Sequence, residues 1–439
     1  MENQMTEGLY QNLFWYTFIF YLGGFIAYAM YFSLKKDTFN RIGTFLLAIG
    51  LLFQTGGFIV KWSIVGQIRF QSMFEFMMLM SWAGVLLILY GVTKYKSPLL
   101  GVVITPIIVM LNAAAALLNK SPAENLMPAL QSNWLTIHIS LAAIGAGAFV
   151  IAGAVSLFYL LSQHTYKKDD KKDFKGFLSI ALIYLIYIPI ALFFILKIVG
   201  LTPHHTAFQF MANFASRIEY ENARTLLGQL VVVLGLIFVP MIAITGHFFK
   251  RKFNDSKNKG YGGVLFALFA LGFALSSLTV GILVHNEIIL ITPQKHLGSM
   301  WRFFEFLGSA YAITLVIFPI LYYFIYRKLG PSINKISDKL DLLDEINYRA
   351  VSLGYPLYTV GALFAGAIWA EQAWGTFWGW DPKEVGSLLV WFFYSAVLHA
   401  RYSRDWKGSR LAILSIIGTS MIFITFYGNY FFGGLHAYA

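Results

Sequence analysis

Three tryptophans, Trp374, Trp378 and Trp380, fall within seven residues and run directly into Asp381-Pro382-Lys383-Glu384. Glycines at 375 and 379 space the rings, and long apolar stretches flank the segment on both sides. An indole is flat and amphipathic, so lone tryptophans collect at membrane interfaces with no further role. A cluster with glycine spacers and an acidic end has a different use. It forms an aromatic shelf with charged groups at its edge, suited to a flat ligand with an apolar face and ionised edges.

Heme is such a ligand, and the histidines extend that reading. The chain has nine. His138 follows Trp134-Leu135-Thr136-Ile137, and His436 lies in Gly433-Gly434-Leu435-His436-Ala437-Tyr438. His399 sits in Leu398-His399-Ala400-Arg401, while His247 and His285 lie near the ends of apolar runs. An ionisable group in a membrane span marks a functional candidate. The competing explanation for each is an imidazole bonded to a nearby carbonyl or reaching for the interface. Neutral imidazole is a common axial ligand of heme iron, and two imidazoles close both axial positions.

These residues need a scaffold, and composition names it. The 439 residues are 58% hydrophobic and 12% charged, against about 25% charged in soluble domains. Mean hydropathy is +0.65. Apolar runs of about 20 residues each suffice to cross a bilayer as a helix. The predicted class is an all-α polytopic membrane protein with about twelve transmembrane helices, at 12–34, 42–60, 72–93, 98–118, 132–161, 175–200, 226–249, 262–290, 301–326, 350–371, 384–401 and 410–431. Met1 to Gln11 carries Glu2 and Glu7, so no cleaved basic leader is expected. With no cysteine, disulfides and thiolate metal sites are excluded.

Charge orients the spans. One alternate set of loops and helix ends carries about 24 of the 33 Lys and Arg, the other about 9. The basic set is assigned to the cytoplasm. Both termini, the Trp cluster, His138 and His436 then lie on the outer side. The net charge of +12 is therefore topological, with some attraction to anionic membrane lipid and none expected to nucleic acid. Ile333, Ile336, Leu340 and Leu343 keep helical spacing, which predicts a short amphipathic helix on the cytoplasmic surface.

Several stretches taken in order carry a family resemblance. They are Ser72-Met73-Phe74-Glu75-Phe76, Pro128 to Trp134 leading to His138, Asp344-Glu345-Ile346-Asn347-Tyr348-Arg349, Leu398-His399-Ala400-Arg401, and Gly434-Leu435-His436-Ala437-Tyr438. With Trp374 to Glu384 they resemble the WWD heme-handling family of cytochrome c biogenesis proteins, in its CcsA (ResC) branch. The resemblance covers roughly 1–161 and 337–439. It implies an integral protein of the bacterial inner membrane that works with a CcsB-type (ResB) partner. Such proteins move heme b across the membrane as substrate and hold it at the outer face. There they present it to the Cys-x-x-Cys-His segment of apocytochrome c, acting as a holocytochrome c synthase (heme lyase) within a complex. By the same resemblance, His138 and His436 are the outer axial pair, and His399 is one ligand of a heme within the membrane. Trp374, Trp378, Trp380 and Asp381 are the outer heme-binding surface.

Residues 162–336 stand apart as an expected insert of four spans between the two parts of the core. It carries His247, at nearly the depth of His399, which makes it the candidate second ligand of a membrane heme. Arg302-Phe303-Phe304-Glu305-Phe306 in the insert echoes Arg69 to Phe76. Two other functions fit the sequence less closely: a heme exporter or chaperone without ligation activity, and an unrelated solute transporter. The transporter reading asks for matched halves with broken helices. Pro189, Pro240 and Pro319 lie within spans, and all three fall in or near the insert rather than in matched halves.

Overall fold

The computed structural model describes residues 2–66, 70, 72–95, 98–116, 131–163, 261–285, parts of 310–334, and 339–432. Among the described residues every regular element is helical. The chain divides into two compact units, Met1–Ser162 with Lys335–Ala439, and Gln163–Asn334. In the first unit the helices are α1 (Glu2–Leu34), α2 (Asp37–Val65), α3 (Met73–Tyr95), α4 (Leu99–Ala116) and α5 (Asn133–Ser162). In the second, the described helices include α6 (Tyr261–His285) and the short α7 (Gly330–Asn334), and described residues between 310 and 324 are helical as well. The first unit resumes with α8 (Leu340–Tyr358), a π-helical turn (Thr359–Ala365), α9 (Gly366–Trp374), α10 (Pro382–Arg404) and α11 (Ser409–Phe432).

Seven described helical segments are long and apolar enough to cross a membrane: Thr6–Leu34, Asp37–Val65, Met73–Lys94, Leu99–Ala116, Asn133–Ser162, Leu340–Trp374 and Ser409–Phe426. The protein is an integral membrane protein. The predicted spans at 175–200 and 226–249 lie outside the described residues. The predicted span at 384–401 is helical over α10. Ser387, Ser395, His399 and Arg401 leave it less apolar than the seven. Of the predicted amphipathic stretch, Ile333 belongs to α7, Leu340 and Leu343 open α8, which runs on into a membrane segment, and Ile336 lies outside the described residues.

Helix α5 is the centre of the first unit. It packs against α8, α11, the π-turn and α3. Lipid tails are as apolar as leucine, so helices in a membrane associate by close packing and interhelical hydrogen bonds. The run Ala142-Ala143-Ile144-Gly145-Ala146-Gly147-Ala148 permits that closeness. A Cβ on Gly145 would stand 2.6 Å from the Tyr358 backbone nitrogen, and one on Gly354 would meet the Ala148 Cβ at 2.9 Å.

Polar contacts lock one end of this packing. Asn347 on α8 donates to Ser156 Oγ on α5 (2.8 Å) and accepts from Ser415 Oγ on α11 (2.9 Å). Arg401 on α10 donates to Asp344 Oδ2 at 2.8 Å, and Asp344 Oδ1 accepts the Gly408 amide at 2.7 Å. Tyr348 bonds Tyr402 through their hydroxyls and lies under the Arg401 guanidinium. The stretches 344–349 and 398–401 therefore form a clasp between α8, α10 and the start of α11. Basic residues collect at this end, among them Lys35, Lys36, Lys94, Arg349, Arg404 and Lys407. At the opposite, tryptophan-bearing end of the first unit, the described basic residues are Lys61 and Lys383.

Lys61 is buried and paired with Glu75, also buried, between α2 and α3. Glu75 additionally accepts the Ser72 amide (3.1 Å) while Ser72 Oγ accepts the Glu75 amide (3.3 Å). This reciprocal pair is a capping box that starts α3. Removing one partner of a buried pair leaves a charge in apolar surroundings, at a cost of about 3–5 kcal/mol. Lys61→Met is therefore expected to lower thermal stability in detergent more than the double variant Lys61→Met/Glu75→Gln. Equal melting temperatures for the two would show the pair to be energetically neutral.

Candidate functional site

The tryptophan end of the first unit brings together residues 240 positions apart in sequence. Ser132, just before α5, donates to Gln372 Oε1 on α9 at 2.6 Å. This fixes the start of α5 beside α9. One turn into α5, His138 is part-buried, and its Nδ1 lies 2.8 Å from the Gly361 carbonyl in the π-turn. The ring stacks on Trp369, with centroids 5.7 Å apart and planes inclined by 11°. Trp369 is 2% exposed and meets Trp374 edge-on at 4.8 Å. His138, Trp369 and Trp374 thus form one continuous aromatic series.

A carbonyl cannot donate, so in the neutral imidazole Nδ1 carries the hydrogen and Nε2 carries the lone pair. The alternative weighed for a membrane histidine, a bond to a neighbouring carbonyl, is what the structure shows at Nδ1. The two readings are compatible. Metal-ligating histidines characteristically give their other N–H to a carbonyl or carboxylate.

The remaining tryptophans belong to the connection between α9 and α10. Gly375 ends α9 in the left-handed conformation at φ 74°. Trp378 and Trp380 meet edge-to-face at 6.1 Å. Trp380 is 72% exposed and also takes a left-handed backbone, φ 57°. That conformation is uncommon for a bulky residue and costs roughly 1–2 kcal/mol. What holds it is Glu384, whose Oε2 accepts both the Gly379 amide (2.8 Å) and the Asp381 amide (3.2 Å), one on each side of Trp380. Asp381 accepts the Lys383 amide at 2.9 Å and completes a capping box, with Pro382 at the start of α10. Asp381 is buried. The acidic end read from sequence as the shelf's charged edge is thus also the device that starts α10 and displays Trp380. Trp380→Gly is expected to keep or raise the melting temperature, because glycine adopts this backbone without strain. The same variant should lower heme occupancy. A parallel fall in both would assign Trp380 to packing alone.

His399 is not part of this assembly. It is exposed on α10, with a 3.3 Å contact to Ser403 Oγ, and lies 18 residues from Asp381. At 1.5 Å per residue that is about 27 Å along the helix. His399 continues a stripe with Trp391 and Ser395. Trp391 donates to Thr359 Oγ1 at 3.0 Å, and Ser395 bonds the Tyr355 hydroxyl at 2.6 Å. His436 and His247 lie outside the described residues, as do Arg69, Arg302 and Glu305.

Trp369, Gly361 and Gly366 escaped the sequence reading. Trp369 stands five residues before the tryptophan cluster in an apolar run, where a single ring reads as core. No sequence pattern marks the π-turn, although glycines at 361 and 366 are a hint of close approach. A Cβ on Gly366 would lie 2.9 Å from His138 Nδ1.

The first unit is thus a membrane bundle with an oriented histidine and a continuous aromatic series at one end. The chain belongs to the cytochrome C assembly protein family, whose profile matches residues 71–282 and 304–436. It is 27% identical over 404 residues to the cytochrome c biogenesis protein CcsA of Gloeobacter violaceus, covering 91% of this chain and 86% of that protein. The CcsA of Trichormus variabilis is 25% identical over 404 residues, covering 91% and 88%. Similarity rises to 46% over 99 residues with the CcsA of Synechococcus elongatus, which covers 22% of this chain and 30% of that protein.

Proposed function

We propose that this protein acts in cytochrome c maturation by holding heme at the tryptophan end of its bundle and presenting it to apocytochrome c. Family membership supports the maturation role. The observation that supports the heme site is His138: its Nδ1 is bonded to a carbonyl and its ring is stacked on Trp369, an arrangement that suits Nε2 as a ligand for iron. The donor chemistry fits an iron porphyrin, with imidazole for iron and indole planes for the macrocycle.

Heme b is the substrate, and the reaction joins its vinyl groups to the two cysteines of a Cys-x-x-Cys-His segment. His436 supplies the second axial ligand. Trp374, Trp378 and Trp380 support the porphyrin face, and Asp381 with Glu384 fixes the loop that carries them. Lys383, on the first turn of α10, is the nearest cation in sequence for a propionate. The protein's part is position and ligation, with the reactive chemistry supplied by heme and thiols. The gathering of basic residues at one end supports an orientation with that end toward the cytoplasm of a bacterial cell and the tryptophan end at the outer face of the inner membrane. His399 ligates a second heme within the membrane, and residues 162–336 form an insert whose His247 supplies the opposite ligand. Where that ligand comes instead from outside the chain, a CcsB-type membrane partner provides it.

Co-expression with an apocytochrome bearing Cys-x-x-Cys-His, with and without a CcsB-type protein, tests this reading. Covalent heme on the cytochrome is expected. Heme that copurifies with the protein while no cytochrome matures under either condition would make it a chaperone without ligation activity.

A further inference from the structure

The π-turn at Thr359–Ala365 interrupts what would otherwise be one helix from Leu340 to Trp374. Such turns are rare and concentrate at functional sites. In a regular α-helix the Gly361 carbonyl would accept from residue 365. Here it accepts from the Gly366 amide, one residue further on. The same oxygen also lies 2.8 Å from His138 Nδ1. Two glycines make this approach possible. Gly361 lies against the α5 backbone at Leu141 and Ala142, and Gly366 lies under the His138 ring.

We propose that the π-turn is a positioning device for His138: the Gly361 carbonyl fixes the imidazole as the Nδ1–H tautomer and sets its rotation, and so aims Nε2 as the iron ligand. This rests on the reading of His138 as an axial ligand. Trp369 fixes the plane of the ring, and the carbonyl fixes its rotation within that plane. A hydrogen bond from Nδ1–H also increases the electron density that Nε2 offers to iron. Gly361 is thus a positioning residue acting through its backbone, a role no side-chain substitution at 361 can isolate, because a Cβ there would collide with α5.

Two measurements test it. The first needs no heme. In protein labelled with ¹⁵N-histidine, the signals that disappear in His138→Gly identify His138, and its neutral form should show Nδ1 protonated. Gly366→Ala, whose methyl would press on Nδ1, should abolish that single tautomer. A neutral His138 protonated at Nε2 would overturn the proposal.

The second uses His138→Gly protein with imidazole, 4-methylimidazole and 1-methylimidazole, read by the absorption spectrum and midpoint potential of bound heme. All three bind iron through one nitrogen. Only 1-methylimidazole has no N–H on the other, and 4-methylimidazole controls for bulk. Imidazole and 4-methylimidazole should restore six-coordinate low-spin heme. The concentration of 1-methylimidazole needed should be about 10–100-fold higher, the usual cost of losing a hydrogen-bond partner behind a metal ligand, with a higher midpoint potential. Equal restoration by all three would overturn the positioning role and leave the ligand assignment standing. Restoration by none, or as much low-spin heme in His138→Gly without any added ligand as in the wild-type protein, would instead remove His138 as a ligand, and this inference with it.

Discussion

Cytochrome c maturation should fall by about 100-fold or more in His138→Gly, since loss of an outer-shell partner of a metal ligand alone costs about 10–100-fold. The reason is local. His138 is on the first turns of α5, which Ser132 and Gln372 brace against α9. Its ring lies between the π-turn carbonyl and Trp369. Glycine leaves a space shaped for an imidazole, with an acceptor already in place, so millimolar imidazole should restore part of the activity. His436→Gly should behave alike if the two close opposite faces of one heme. Covalent heme staining of the cytochrome, normalised to the amount of membrane-inserted protein, is the measurement. Normal maturation in both variants would dismiss the axial pair.

The second large effect concerns the shelf. Trp378→Ala should lower heme occupancy by about tenfold, equivalent to about 1.4 kcal/mol, while the protein stays inserted and abundant. A ring contact contributes about this much. Asp381 requires a finer test, because its carboxylate caps α10. Asp381→Ala removes the cap as well as the charge, and the cap alone contributes about 1 kcal/mol. Asp381→Asn keeps the cap. Retained occupancy in the asparagine variant with loss in the alanine variant would make Asp381 a helix cap that supports Trp380. Loss in both, with unchanged melting temperature in the asparagine variant, would give its charge a direct part in binding heme. A loss of folded protein matching the loss of heme in Trp378→Ala would return the tryptophan to an interfacial belt.

Much of this arrangement is legible in the sequence because it is local or topological. Hydrophobic length alone delineates the seven apolar spans of the described residues. Counting alternate loops places His138 at the same end as Trp374, and the bundle brings them to a shared aromatic series through Trp369. What sequence reading missed is tertiary. The π-turn changes no residue's hydropathy, so its shifted carbonyl leaves no periodic signal, and Trp369 becomes notable only because α5 crosses beside it. Two capping boxes are legible in the spacing of their residues. Ser72-Met73-Phe74-Glu75 and Asp381-Pro382-Lys383-Glu384 both have the spacing of a helix start. In the second, the charges that suit a ligand's edge also bond the backbone of the loop and of the first turn of α10. Asp344, Asn347 and Arg401 carried the family resemblance, and the structure gives them a packing role as the clasp at the basic end.

The visible absorption spectrum of the purified, chemically reduced protein, recorded beside that of His138→Gly, tests the central claim most directly. The wild-type protein should show the sharp paired bands of low-spin heme with two nitrogen ligands. The variant should lose them in proportion to the outer heme and regain them on adding imidazole. Identical low-spin spectra from the two proteins, or no heme in a folded wild-type protein isolated from heme-replete membranes, would contradict it.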